Sequence, residues 1–283
     1  GLVIQEVIVY DQYDACVHRV KPCRIKMPLF SLNADNLLQR QIYIDNFENS
    51  HGSVKRVWLI YINHSKHDTY YFEKLLKEGY HPAVLNMASR QNPGGGVQTG
   101  AGAQEENLFR RTNLFQSLFQ FVPYAEKFGV RKSRFQYPLD RNYGGIYTPD
   151  ATVFRGTEQM GYPLLEKPFQ MSFIAVAGIN RPALASPERI APELIEPVKN
   201  KMRTIFRIGL LHNHDSLVLG ALGCGAFRNS PAHIARLFHE VMEEEEFKNK
   251  YKLLVFAILD DHNARLKHNP DGNFLPFVRE FEI

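Results

Sequence analysis

The chain has 283 residues, of which 44% are hydrophobic, enough to bury a substantial core as one large α/β domain or two small ones. A net charge of +4 would help to draw in a polyanion but selects no partner by itself. No apolar run reaches the roughly 20 residues of a bilayer span, and no basic segment followed by an apolar signal core opens the chain; this excludes a helical membrane protein and predicts a soluble one.

Three cysteines, Cys16, Cys23 and Cys224, are an odd number without metal-ligand spacing. They fit a reduced interior better than a disulfide framework, and a cytoplasmic location follows as the default.

In chain order, the first eighty residues predict an N-terminal accessory layer on the same core, with one strand at Val57–Ile62. Further apolar runs at Ala83–Asn86, Phe173–Ala177, Ser216–Leu219 and Leu253–Leu259 are rich in Val, Ile and aromatics, are bounded by polar or glycine-rich turns, and read as buried strands. Between them, Glu105–Phe121 predicts one helix whose stripe is Leu108, Phe115, Leu118, Phe119 and Val122. Pro187–Arg207 is helical in part, and Pro231–Glu246 is helical on Ile234, Leu237, Phe238 and Val241. Arg131–Tyr162, rich in Tyr, Pro and Gly, reads as a long loop with a hairpin near Gly144-Gly145, and loops of that length are often functional. Strands alternating with helices imply a mixed sheet covered on both faces.

The most informative segment runs from the strand Val84-Leu85-Asn86 through Asn92-Pro93 and Gly94-Gly95-Gly96-Val97 to Gln104-Glu105-Glu106. Consecutive glycines bare backbone N–H groups, and a helix start adds donors of favourable polarity, so the loop is a candidate cradle for phosphate and ribose. Glycines that only permit a tight turn are the alternative. No Gly-Lys-Ser/Thr follows and no ribose-binding acid stands about 20 residues on, so ATP hydrolysis and hydride transfer lose support.

Glu105 and Glu106 have a structural explanation as first-turn acids that complement the helix dipole, with Glu106 able to pair with Arg110. They also have a chemical one. Cleaving a glycosidic bond needs a carboxyl that protonates a departing hydroxyl and then, as carboxylate, activates water; adjacent, partly buried carboxylates would have the raised pKa this needs.

Three glycines followed after seven residues by Gln-Glu-Glu resemble the signature of poly(ADP-ribose) glycohydrolases. Asn92-Pro93 before the glycines and Asn107-Leu108-Phe109-Arg110-Arg111-Thr112 after the glutamates are similar to the shorter, microbial-type branch. Ile146–Arg155 resembles that family's Tyr-Ser-Pro strand, and Val218–Asn229, with Gly223-Cys224-Gly225-Ala226-Phe227, resembles its second phosphate loop. Motifs thus cover roughly residues 80 to 260. The resemblance implies a macrodomain-like three-layer α/β/α fold with a mixed central sheet, residues 1–283 forming one catalytic domain. It makes Glu106 the acid/base, with Glu105 holding ribose hydroxyls and Gln104 fixing the loop.

Substrate would then be held by Asn92, Gly94, Gly95, Gly96, Val97, Gln104 and Glu105 on one side and by Gly223, Cys224, Gly225, Ala226 and Phe227 on the other. The implied substrate is poly(ADP-ribose) or an ADP-ribosylated protein, and the product ADP-ribose. No cofactor, metal, membrane or sequence-specific nucleic acid is implied. Where the animal-type pattern has a ribose-binding asparagine, this chain has Ser89, leaving Asn92 or Asn86 to substitute; the segment Ala177-Gly178-Ile179-Asn180 also departs from the family's Ala-Pro-Asn.

Among other candidates, His212-Asn213-His214-Asp215 reads as a solvent-exposed turn rather than a metal site, Cys224 as structural, and Glu243–Glu246 as the solvated end of a helix. Tyr143, Tyr147 and Phe154 include candidates to stack on adenine, with nothing selecting one. A non-catalytic ADP-ribose reader, or a hydrolase of mono-ADP-ribose or another ADP-ribose derivative, are the competing functions.

Overall fold

The computed structural model describes residues 41–48, 54–62, 68–135, 137 and 139–281. Its strands are β1 (Gln41–Glu48), β2 (Val54–Ile62), β3 (Pro82–Met87), β4 (Gly145–Arg155), β5 (Leu164–Val176), β6 (Leu184–Ser186), β7 (Arg189–Ile190), β8 (Ser216–Leu219) and β9 (Leu253–Leu259). Seven of them form one sheet in the order β1-β2-β9-β8-β3-β5-β4, while β6 and β7 pair in a small ribbon. From β2 to β5 the neighbours are parallel; β1 and β4 close the edges antiparallel to β2 and β5.

The parallel strands are apolar on both faces because both are covered. In β9, Leu254, Phe256 and Ile258 enter one core, and Leu253, Val255 and Ala257 the other. The first core is closed by α4 (Ile195–Leu211), α5 (Pro231–Met242) and α6 (Phe274–Phe281), through residues such as Phe206, Phe238 and Phe277. The second is closed by α1 (Asp68–Lys77), α2 (Gln104–Arg111) and α3 (Leu114–Leu118), through Phe72, Leu108 and Leu118. The three-layer α/β/α sandwich with a mixed sheet is the fold expected from the sequence. No described helix is long and apolar enough to cross a membrane.

Four of the predicted strand segments lie inside β2, β3, β8 and β9, and the Phe173–Ala177 segment overruns β5 by one residue. The predicted Glu105–Phe121 helix is instead broken. Thr112 is extended, with φ −132° and ψ 169°, and bridges to Val153. Asn113 donates its N–H to the Thr152 carbonyl, and its Oδ1 accepts the Thr152 N–H at 2.7 Å. The apolar stripe is real, but β4 captures the backbone between its halves.

The predicted loop Arg131–Tyr162 contains β4, and the hairpin turn lies after Arg155, not at Gly144-Gly145. Gly145 serves close packing: a Cβ there would stand 2.7 Å from Ile208 Cδ1 and 2.8 Å from Thr204 Cγ2 of α4. Helix α4 runs on to Leu211, past the predicted Arg207, and α5 stops at Met242, short of Glu246. Glu244 and Glu246 are not simply solvated; they accept Arg203 and Arg207 of α4.

The His212–Asp215 turn also differs from its reading. His214 is buried, with its ring stacked on His81 at 4.3 Å and its Nε2 2.9 Å from the Tyr147 hydroxyl. Tyr147, in turn, stacks on His212 at 3.6 Å, which commits it to the core rather than to a ligand. Burial holds His214 down to about 4. Much of the expected N-terminal layer, with Cys16 and Cys23, lies outside the described residues.

Because β3, β5, β8 and β9 are parallel, the segments 88–103, 177–183, 220–230 and 260–273 that follow them all emerge at one end of the sheet. That end carries the candidate site, as is usual for α/β proteins.

Candidate active site

The glycine loop and the start of α2 are stitched to the end of β3. Gln104 acts as a lateral strand partner: its Oε1 accepts the Met87 N–H at 2.8 Å and its Nε2 donates to the Leu85 carbonyl at 2.7 Å. This fixes the first turn of α2, where Glu105 and Glu106 are both buried, at 3% and 7% exposure. Neither carboxylate pairs with a cation among the described residues. Arg110, expected as a partner for Glu106, donates to the Ala101 carbonyl instead.

Backbone N–H groups take the carboxylates. Glu105 Oε2 accepts Ser89 at 2.6 Å and its Oε1 accepts Gly94 at 3.0 Å. Glu106 Oε1 accepts Gly96 at 2.8 Å, while its Oε2, also buried, has no hydrogen-bond partner among the described residues. The loop therefore wraps the glutamates, and the N–H groups of Gly95 and Val97 close it on itself, donating to the carbonyls of Asn92 and Gly94. Gly94 and Gly95 have φ of +77° and +56°, and a Cβ on Gly94 would meet the Phe109 ring at 2.6 Å.

Burial pushes Glu105 up from 4.5 to about 7, against the lowering effect of the Ser89 and Gly94 N–H groups and with a further push from the Glu106 charge. The raised pKa expected at this site thus falls on Glu105, the glutamate with two backbone donors.

Two further polar side chains face this pair. Asn86, fully buried on β3, favours the ionised form of Glu105 by its proximity, yet neither of its amide atoms makes a hydrogen bond of ordinary geometry. The Tyr137 hydroxyl is buried without a partner among the described residues; burial, and then the negative charge of Glu105, hold it well above its usual range. Asn86 was one of two asparagines left open by the sequence. The other, Asn92, is exposed and enters the loop through its carbonyl, which accepts the Gly95 N–H. Tyr137 was not singled out at all: its loop has no periodicity to separate an inward tyrosine from its neighbours.

The second glycine loop sits beside the first. A Cβ on Gly220 would stand 3.2 Å from Met87 Cε, and one on Gly178 would stand 3.2 Å from Gly223 Cα. Asn229 holds the loop shut, its Nδ2 donating to the carbonyls of Ile179 at 2.7 Å and Gly223 at 3.0 Å. Gly223 has φ +74°, and a Cβ there would strike Asn229 Nδ2 at 2.5 Å. From the 260–273 segment, His268 Nε2 donates to the Cys224 carbonyl at 2.8 Å.

Cys224 is wholly buried and burial raises its thiol, so it packs rather than reacts. Gly225, Ala226 and Phe227 are at least partly exposed. Val97 is likewise half-buried, in a short 3-10 turn after Gly96. Asn229 and His268 escaped the sequence reading because single buried polar residues carry no spacing signal.

The α/β/α frame is that of the macrodomain-like glycoside hydrolases, and the two buried glutamates lie where its parallel strands end. Residues 39–156 match the model of the microbial-type poly(ADP-ribose) glycohydrolase catalytic domain. The poly(ADP-ribose) glycohydrolase of Deinococcus radiodurans, in complex with ADP-ribose, is 32% identical over 78% of this chain and 84% of its own, with a TM-score of 0.58. That of Thermomonospora curvata, bound to the inhibitor ADP-HPD, is 31% identical over 80% of this chain and 79% of its own, with a TM-score of 0.61. The chain belongs to the microbial-type poly(ADP-ribose) glycohydrolases, glycoside hydrolases acting on poly(ADP-ribose). No curated protein matches it.

Proposed function

We propose that the chain hydrolyses the ribose–ribose bond at the ends of poly(ADP-ribose), releasing ADP-ribose, with Glu106 as general acid and base in a single catalytic domain. The observation that carries the assignment is the buried, unpartnered Glu106 Oε2, beside an Oε1 fixed by the Gly96 N–H. An acid must aim its proton at the leaving oxygen, and Glu105 has both oxygens engaged by backbone N–H groups.

In this reading Glu106 protonates the departing ribose oxygen as the glycosidic bond breaks. Positive charge builds on the anomeric carbon, next to the Glu105 carboxylate. Glu106, now ionised, takes a proton from the attacking water, whose oxygen bonds to that carbon. The loop from Gly223 to Phe227 holds the diphosphate through the N–H groups of Gly225, Ala226 and Phe227, and Gly94, Gly95, Gly96 and Val97, whose own N–H groups go to Glu105, Asn92, Glu106 and Gly94, line the terminal ribose. Asn86 takes up a ribose hydroxyl beside Glu105. The natural partner is poly(ADP-ribose) or a protein carrying it, and the enzyme works in the cytoplasm.

The test is ADP-ribose release from poly(ADP-ribose) by the wild type and by Glu106→Gln, with calorimetric binding of ADP-ribose to both. Cleavage by the wild type, with binding but no cleavage by the variant, supports the assignment. A wild type that binds ADP-ribose without cleaving polymer is a reader or acts on another linkage, and the proposal fails.

A further inference from the structure

Residues 122–135 form a surface that the chemistry at the glutamates does not use. Three aromatic side chains stand out into solvent there: Tyr124 at 40% exposure, Phe128 at 46% and Phe135 at 39%. Tyr124 and Phe128 lean on the buried Phe119, at centroid distances of 6.3 and 5.0 Å, so their outer faces are presented by a fixed base. Arg131, Lys132 and Arg134 are exposed between them, and the Arg134 guanidinium lies 5.0 Å over the Phe135 ring. In the same stretch Glu126 and Lys127 cancel, leaving three net positive charges.

Exposed rings interleaved with cations suit a chain of stacked bases and phosphates, since each ring offers a face to a base and each cation a contact to a phosphate. This surface is tied to the catalytic loop by the backbone. Ser133 N–H bonds the Gln120 carbonyl at 2.7 Å, and Tyr137 N–H bonds the Phe121 carbonyl. Leu139 N–H bonds the carbonyl of Arg90 at 2.9 Å, and the residue before Arg90, Ser89, donates its N–H to Glu105. From Arg134 to Tyr137 the chain can span at most about 10 Å.

We infer that this aromatic and basic strip binds the body of the poly(ADP-ribose) chain whose terminal unit occupies the glutamate site. Adenines stack on Tyr124, Phe128 and Phe135, and diphosphates sit on Arg131, Lys132 and Arg134. The inference rests on the function proposed above. It assigns the strip to polymer affinity and leaves the bond-breaking step to the glutamates.

The experiment uses the full chain carrying Arg131→Glu, Lys132→Glu and Arg134→Glu, exposed positions at which substitution leaves the core intact. Binding of labelled poly(ADP-ribose) is measured in a Glu106→Gln background to prevent turnover, beside binding of ADP-ribose. Polymer affinity should fall at least about tenfold at low salt, and the slope of log affinity against log salt should drop by about 2, while ADP-ribose affinity holds. Unchanged polymer affinity overturns the inference, as does single-stranded DNA of equal charge binding as tightly as the polymer. Cleavage of a dimer of ADP-ribose, which offers the strip a single unit beyond the terminal one, is followed separately. A wild type that fails on the dimer defeats the proposed hydrolysis, and the polymer-binding comparison still decides the strip.

Discussion

Gly95 and Glu106 fit together with no room between them: a Cβ on Gly95 would stand 2.3 Å from Glu106 Oε1, the oxygen that accepts the Gly96 N–H. The glycine is also at φ +56°, where a side chain costs about 1 kcal/mol or more. Gly95→Ala must therefore push the carboxyl aside or open the loop. Because a displacement of about 1 Å at a reacting group can cost on the order of 100-fold in rate, kcat on poly(ADP-ribose) should fall by that much or more. Ring contacts far from the loop stay intact, so near-ultraviolet circular dichroism should remain native. Activity within a few-fold of wild type would mean that Glu106 Oε1 need not be held.

The raised Glu105 carboxyl links stability to pH. Glu105 is raised to about 7 from 4.5, so the native state binds more protons than the unfolded state across that window. Stability on this account is full below the unfolded value and declines as pH rises through the window, by at most about 3 kcal/mol. His214 acts with the opposite sign: lowered to about 4 from 6.5, it costs stability as pH falls between those values. The wild-type profile is thus a sum of opposing slopes. Urea unfolding of Glu105→Gln beside the wild type isolates the first, and the variant should gain relative stability steadily from pH 4.5 to 7.

Asn229 makes a different prediction, because it acts on the second loop through carbonyls rather than on ligand. Asn229→Ala removes the donor shared by Ile179 and Gly223. The Gly223 carbonyl keeps the Asn229 backbone N–H, so the loss falls on the half-buried Ile179 carbonyl and should cost about 1 kcal/mol of stability in chemical denaturation. If this loop holds the diphosphate, ADP-ribose binding should weaken about tenfold by calorimetry, corresponding to about 1.4 kcal/mol. Glu106 is left where it is, so KM should rise more than kcat falls. The reverse pattern would place the loop in the chemical step.

What the sequence made visible follows from where the information is stored. β8 and β9 are buried on both faces, which writes them as unbroken apolar runs, and their ends were read correctly. The break between α2 and α3 is invisible locally, because Thr112 and Asn113 are pulled out of the helix by Thr152 and Val153, far along the chain. Gly144-Gly145 looked like a turn for the same reason: the packing of Gly145 against Ile208 of α4 belongs to the tertiary structure. At the site, the glycines and glutamates are contiguous and chemically distinctive, so their loop was legible. Asn229, His268 and Tyr137 reach it singly from three separate segments, and nothing in their local spacing marks them.

Lys201 is buried to 2% exposure on α4, and its ammonium has no hydrogen-bond partner among the described residues. Asp140 favours its charge and Arg90 opposes it, but burial dominates and holds it down to about 8 from 10.5. For a cation lowered in the native state, the unfolded chain binds more protons between those two values, so wild-type stability should rise as pH increases from 8 to 10.5. At pH 7 the lysine is charged in both states and folding must bury the charge, at a cost of at most about 3 kcal/mol. Lys201→Met keeps the volume and the flexible stem without the charge. It should raise the midpoint of urea unfolding at pH 7, and the gain should shrink towards pH 10.5 as the wild-type lysine deprotonates. If Lys201→Met is instead less stable at pH 7, the ammonium makes an interaction, through water or with Asp140, that outweighs its burial.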